Sequence, residues 1–211
     1  MGNDSILASF RSGEMTNHAV RSSIDEFLSS RAALILAFVW GLAEATFFFI
    51  VPDVLLTLIA CRKLRPALNA TLAALAGALA GGAFMYALGT RQPDTARAVL
   101  NHVPAITPAL LTRVSGQINE GGLFALLLGP LKGIPYKIYA VEWGARRGTF
   151  IGFLLISVPA RYVRFFLAAL AARVIARLIQ PLTHHRAVIE FSILIAMWTA
   201  FYTFYFARFG W

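Results

Sequence analysis

The run from Ala32 to Ala60 contains no charged residue except Glu44 and Asp53, and it is interrupted by Pro52. That run constrains the fold more than any other part of the chain. A carboxylate in lipid hydrocarbon costs from ~3 to more than ~10 kcal/mol, so both acids need a polar or paired environment. As one straight helix the run would extend ~43 Å, against a hydrocarbon core of ~30 Å. It is too long for one comfortable span and too short for two. On an unbroken helix at ~100° per residue, the nine-residue spacing of Glu44 and Asp53 would set them on opposite faces. Pro52 is a natural breaker. A helix-break-helix hairpin that enters to mid-membrane and returns, residues 32–62, lets both acids face one polar cavity.

Composition sets the environment. Of 211 residues 58% are hydrophobic and 14% charged, and mean hydropathy is +0.68. Soluble domains average about 25% charged residues. The expectation is therefore an all-α integral membrane protein. The length allows one membrane domain, residues 32–211, after a polar N-terminal tail that ends in the start of an amphipathic helix, residues 1–31. The net charge of +9 fits basic loops at membrane borders better than a nucleic-acid surface, because Lys and Arg anchor loops to anionic lipid and set topology. No nucleic-acid partner is expected. Cys61 is the lone cysteine, so no internal disulfide can form. Ser23-Ile-Asp-Glu26 matches a helix capping box.

A second interrupted stretch lies at residues 122–145. Its core, Gly129-Pro130-Leu-Lys132-Gly133-Ile-Pro135-Tyr-Lys137, has too many breakers for a regular helix. The hairpin breaks are assigned to Pro52, Pro130, Gly133 and Pro135. Non-helical backbone at membrane depth is tolerated only where protein or water lines it. Three full spans are expected at 68–88, 149–172 and 187–207. A polar linker at 91–117 carries Pro93, Pro104 and Pro108. Gly77 and Gly81 form a small-residue ridge for helix packing, within the chain or between copies, so a homo-oligomer is left open. The adjacent His184 and His185 read as an interfacial loop, and no metal or cofactor is expected.

The two broken stretches echo each other. Pro52 lies ten residues before Arg62, Pro135 lies eleven before Arg146, and each stretch precedes a full span. Paired interrupted segments point to a transporter site at a repeat interface. The expected architecture is an inverted repeat of two opposed re-entrant hairpins plus about three spans. The first break supplies acids; the second, with Arg161 and Arg164 beyond it, supplies bases. Residues 1–31, 61–66 and 173–186 would share one side with nine Lys/Arg against six on the other, which places the first side in the cytoplasm.

Pro135-Tyr-Lys137-Ile-Tyr-Ala-Val-Glu-Trp-Gly144, followed by Arg161-Tyr-Val-Arg164-Phe165-Phe166, resembles the pattern of the DedA superfamily, also called SNARE-associated or VTT-domain proteins. Glu44 with Pro52-Asp53, and Gly81-Gly82-x-x-x-Tyr86-x-x-Gly89, are similar to that family's acidic first hairpin and the glycine-rich helix after it. The resemblance covers residues 32–175 and is closest to the short YqaA-like branch. It departs where Lys132 stands in place of a frequent arginine, where a second arginine near Lys137 is absent, and at Cys61, where glycine is usual. The resemblance implies a multi-pass protein of the bacterial inner membrane. It also implies flipping or scrambling of phospholipids or polyprenyl phosphates, with proton coupling in some members.

The leading expectation is a flippase or scramblase for an anionic phospholipid or polyprenyl phosphate. Lys132, Lys137, Arg161 and Arg164 would hold the phosphate, and Glu44 and Asp53 would couple a proton by competing for the same cations. The alternatives are a proton-coupled transporter of a small ion and a structural assembly factor whose intramembrane charges only pair. An enzyme is not expected. There is no His-Glu-x-x-His, Gly-x-Ser-x-Gly or glycine-rich phosphate loop to carry such chemistry.

Overall fold

The structure is a computed structural model that describes residue 23, residues 26–179 and residues 186–209. The tail 1–22, the interior of the Ser23–Glu26 capping box and the His184–His185 pair lie outside the described residues. All regular secondary structure among the described residues is helical.

Helix α1, Arg31–Thr46, starts on Ser30, whose Oγ accepts the Ala33 N–H at 3.4 Å. Its last turn is closed by Thr46 Oγ1, which donates to the Leu42 carbonyl at 2.9 Å. After a break at 47–52, α2 spans Asp53–Arg62 with Pro52 at its N-cap. Lys63 is extended, and α3 runs Leu64–Arg91. Helix α4, Pro93–Asn101, and α5, Pro108–Gly121, follow. Helix α6, Leu123–Leu131, is separated from α7, Tyr136–Ala145, by a turn in which Gly133 adopts φ +85°. Helix α8 spans Phe150–Ile179 and α9 Arg186–Phe209.

The contacts define direction. A Cβ on Gly77 would meet the Phe38 carbonyl at 1.9 Å, and one on Gly81 the Leu42 carbonyl at 2.7 Å, so α1 and α3 run parallel at backbone contact. Gly82 meets Tyr136 and Gly89 meets Val141, so α7 also runs parallel to α3. Asp53 pairs with Arg164, and the Cys61 carbonyl accepts from Arg173, so α2 runs parallel to α8. The start of α6 lies beside the start of α8, Leu123 against Gly152. The start of α3 adjoins the end of α8, and Tyr86 late in α3 stacks on Phe153 early in α8, so these two are antiparallel. Each helix-break-helix unit therefore packs its first limb on its own long helix and its second limb on the other's. The two units point in opposite directions.

Sequence explains the close approach. Ala33, Ala37, Gly41 and Ala45 recur every fourth residue and are buried on α1. Gly41 lies against Ala74 and Ala45 against Gly81, and Ala67, Ala70, Ala74, Gly77 and Ala78 are the buried small residues of α3. Such small-residue seams let backbones touch and gain dispersion along the whole contact. Gly77 and Gly81 are thus used within the chain.

Two helices, α3 of 28 residues and α8 through Leu178, are long and apolar enough to cross a membrane. The third expected span falls in α9, whose apolar part Ser192–Ala207 is shorter. Three boundaries differ from expectation. The polar linker at 91–117 carries two helices, with Pro93 and Pro108 each at the first helical position, where the missing N–H costs nothing. Pro130 is not part of the second break. It lies inside α6, which stops at Leu131, so one lost bond near the end does not disrupt the helix. Helix α8 continues through Pro159 to Ile179, well past the expected end at 172.

Candidate functional site

The breaks bring four charged side chains to one cavity of about 470 Å³, bounded by α1, α2, the end of α6, α7, α8 and α9. Glu44 comes from the end of α1, Asp53 from the first turn of α2, Lys137 from the start of α7 and Arg164 from the middle of α8. Pro52 and Pro135 occupy equivalent N-cap positions in the two units, and each starts a limb next to the chemistry. The N-terminus of α2 offers partial positive charge to Asp53.

The pairing is specific. Arg161 reaches Glu44 in a fork, Nη1 to Oε1 at 3.4 Å and Nη2 to Oε2. Its guanidinium lies over the Tyr136 ring at 5.1 Å and the Phe165 ring at 4.8 Å. Tyr136 is fixed in turn by donating to Ser157 Oγ at 2.8 Å. Arg164 Nη2 donates to Asp53 Oδ2 at 2.7 Å. Lys137 Nζ donates to the Phe48 carbonyl at 2.6 Å, a backbone group freed by the first break. Asp53 Oδ1 and Arg161 Nε are buried with no hydrogen-bond partner among the described residues.

The expected residues therefore separate. Glu44, Asp53, Lys137 and Arg164 line the cavity, with Pro130, Gly133 and Pro135 forming part of its wall. Arg161 is fully buried behind Glu44 and does not reach the cavity. Lys132 caps α6, is exposed and lies outside the lining. Of the four expected cations, Lys137 and Arg164 line the cavity and Lys132 and Arg161 do not. A fork already committed to Glu44 has no free face for a second anion, and Lys132 precedes the turn that aims α7 inward.

Helix α9 contributes aromatic side chains to the cavity wall, Trp198, Phe201, Tyr202 and Tyr205. Trp198 Nε1 donates to Thr57 Oγ1 at 3.2 Å, and the Val51 N–H donates to the Tyr202 hydroxyl at 2.9 Å. Tyr202 also meets the Phe49 ring edge-on at 6.2 Å. These contacts tie α9 to the first break and close one side of the cavity. Nothing in the local sequence distinguishes Trp198 and Tyr202 from their aromatic neighbours.

A second ionic cluster lies at the far end of α7. Glu142 accepts from Arg97 Nε at 2.7 Å and Nη2 at 3.1 Å, and from Arg146 Nη1 at 2.9 Å. Arg146 also donates to Ser115 Oγ at 2.6 Å. Burial pushes the Glu142 carboxyl up, but the hydrogen bonds and charges of Arg97 and Arg146 outweigh it and hold the group below its ordinary value. The Arg97 guanidinium is held above its ordinary value, chiefly by its hydrogen bond to Glu142. This cluster fastens α4 and α5 to the second unit.

No family model matches this chain, and no curated protein or solved structure matches it.

Proposed function

We propose that the chain is a multi-pass inner-membrane protein of the DedA type that moves a phosphate-bearing lipid between leaflets. The observation that carries this reading is the cavity. One end holds Glu44, Asp53, Lys137 and Arg164, and its walls are apolar side chains of α8 and α9, among them Leu167, Ile175 and Met197. That is the polarity that suits a charged head with a hydrocarbon tail.

Burial supports membrane insertion. Glu44, Asp53, Lys137, Glu142 and Arg161 are buried, whereas Ile35, Val39, Leu72, Phe84, Ile151, Leu155 and Leu167 are exposed. Polar inside and apolar outside is the arrangement a bilayer favours, since idle charges cannot face lipid. The broken helices suit two re-entrant hairpins. Helices of 9 or 10 residues reach only ~15 Å, about half of the ~30 Å core. Opposed hairpins would bring their breaks together at mid-membrane, where transporters of inverted design bind substrate.

In this mechanism Lys137 and Arg164 hold the phosphate, Lys137 as a point charge and Arg164 through its planar fork. Asp53 competes for Arg164. Arg164 holds Asp53 through Nη2, so protonating Asp53 strengthens the hold on the phosphate and losing that proton weakens it, which couples release to a proton. Glu44 and Arg161 form the fixed base of the cavity. The test is translocation of labelled lipid in proteoliposomes. Arg164→Ala and Lys137→Ala are expected to slow it at least tenfold while the protein stays monodisperse, and Lys132→Ala to leave it unchanged. Wild-type rates in both cavity variants would refute the assignment.

A further inference from the structure

We infer that the preferred head group is a monoanionic phosphodiester bearing a hydroxyl, phosphatidylglycerol being the simplest such lipid. The inference rests on the lipid-transport reading above and on two observations at the cavity. The first is charge. The cavity and the pair behind it hold three cations, Lys137, Arg161 and Arg164, against two anions, Glu44 and Asp53. Both carboxylates are matched by an arginine, Glu44 by Arg161 and Asp53 by Arg164. Lys137 is the cation in excess: its one hydrogen bond among the described residues is to the neutral Phe48 carbonyl, and the Glu44 carboxylate near it is already matched by Arg161. A buried cluster with one uncompensated positive charge is completed by one negative charge, because unpaired charge in a low-dielectric interior is costly.

The second observation is an acceptor. Asp53 lies on the cavity wall, is 2% exposed, and its Oδ1 has no hydrogen-bond partner among the described residues. A phosphodiester carries acceptors only and cannot satisfy that oxygen. The head group must therefore bring a donor. An ammonium donor, as in phosphatidylethanolamine, would restore the positive excess that the phosphate had cancelled. A hydroxyl satisfies Asp53 and leaves the cluster neutral. A phosphomonoester, with a second pKa of about 6, is largely dianionic at neutral pH and overshoots. Lys137 has donors to spare, since an ammonium offers three and only one is directed at Phe48.

The inference makes substitutions at the cavity reset lipid preference in steps of charge. The full chain in neutral detergent is mixed with equal amounts of phosphatidylglycerol, phosphatidylethanolamine, phosphatidylcholine and phosphatidic acid of matched tails, and bound lipid is counted by native mass spectrometry. Wild type is expected to retain phosphatidylglycerol about tenfold over phosphatidylcholine, equivalent to ~1.4 kcal/mol. Asp53→Asn raises the excess to two and is expected to shift preference to phosphatidic acid. Lys137→Met removes the excess and is expected to shift it to the zwitterionic lipids. If one variant fails to fold, the other carries the test. Equal retention of all four lipids by wild type, or an unchanged preference in a folded variant, overturns the inference. The same lipids in proteoliposomes separate the two levels. Translocation without head-group preference sinks this inference and leaves transport standing. Charge-stepped binding without translocation does the reverse.

Discussion

The Glu44–Arg161 pair allows a double-mutant cycle with a worked asymmetry. The Arg161 side chain is 0% exposed and the Glu44 side chain 5%, so neither gains water if its partner is removed. Breaking a buried pair by deleting one member costs ~3–5 kcal/mol, whereas replacing both by apolar groups of similar size is often neutral. Glu44→Leu strands Arg161, which is sealed away from the cavity and keeps only the faces of Tyr136 and Phe165. Its cost is expected near the top of that range, ~5 kcal/mol, because the cation–π attraction is present before and after the change and offsets none of it. Arg161→Met strands Glu44, which still lines the cavity with Lys137, so its cost should fall near ~3 kcal/mol. The double variant should recover most of the larger loss. The assay is reversible unfolding in mixed micelles by sodium dodecyl sulfate, with all four proteins compared at one lipid composition. A Glu44→Leu cost below ~1 kcal/mol, or a double variant no more stable than the worse single, would refute the reasoning. Translocation by the same four proteins then tells whether the pair also serves transport. A stable double variant with wild-type rates makes the pair purely architectural.

Other expectations follow from single contacts. Gly77→Val places a side chain where a Cβ already meets the Phe38 carbonyl at 1.9 Å, so overpacking should cost at least ~3 kcal/mol in the same unfolding assay. Gly116→Ala, with nothing within 4 Å of the new Cβ, should instead stabilise by up to ~1 kcal/mol through helix propensity. Because Glu142 has a lowered pKa when folded, its contribution is fully present above the unfolded value of ~4.3 and is lost as pH falls through the folded value. Hydrogen exchange in α4 and α5 should therefore rise as the medium is acidified below about pH 4, and Glu142→Gln should flatten that response. Tyr202→Phe removes the acceptor of the Val51 N–H. The loss should be ~1–3 kcal/mol, and exchange at the Val51 amide should speed up while α8 is unaffected.

Much of the organisation is legible along the chain because apolar surroundings penalise unpaired charge and unbonded backbone so steeply. Glu44, Asp53 and Pro52 within one apolar run announce a break, and Gly133 with Pro135 announces its counterpart. Helices α4 and α5 lie within the expected polar linker, because a proline alone does not distinguish the first position of a helix from its end. The spacing of Leu110, Leu111, Val114 and Ile118, all buried on one face of α5, was the available signal. Lys132 and Lys137 look equivalent in sequence. The positive φ of Gly133 turns the chain between them, so one is exposed and the other lies in the cavity.

Sequence alone determined that two carboxylates and several bases had to be withdrawn from an apolar surface, that two breaks would do it, and that small residues on α3 would carry a close helix contact. These follow from local rules: the cost of exposed charge, the lost N–H of proline, and the absent side chain of glycine. Only the tertiary structure decided which charges pair. Arg161 and Arg164 are three residues apart and chemically identical, yet one is sealed against Glu44 between two rings and the other faces the cavity with Asp53. That division depends on how α1 and α2 approach α8 from positions more than a hundred residues away, and no local pattern encodes such an approach.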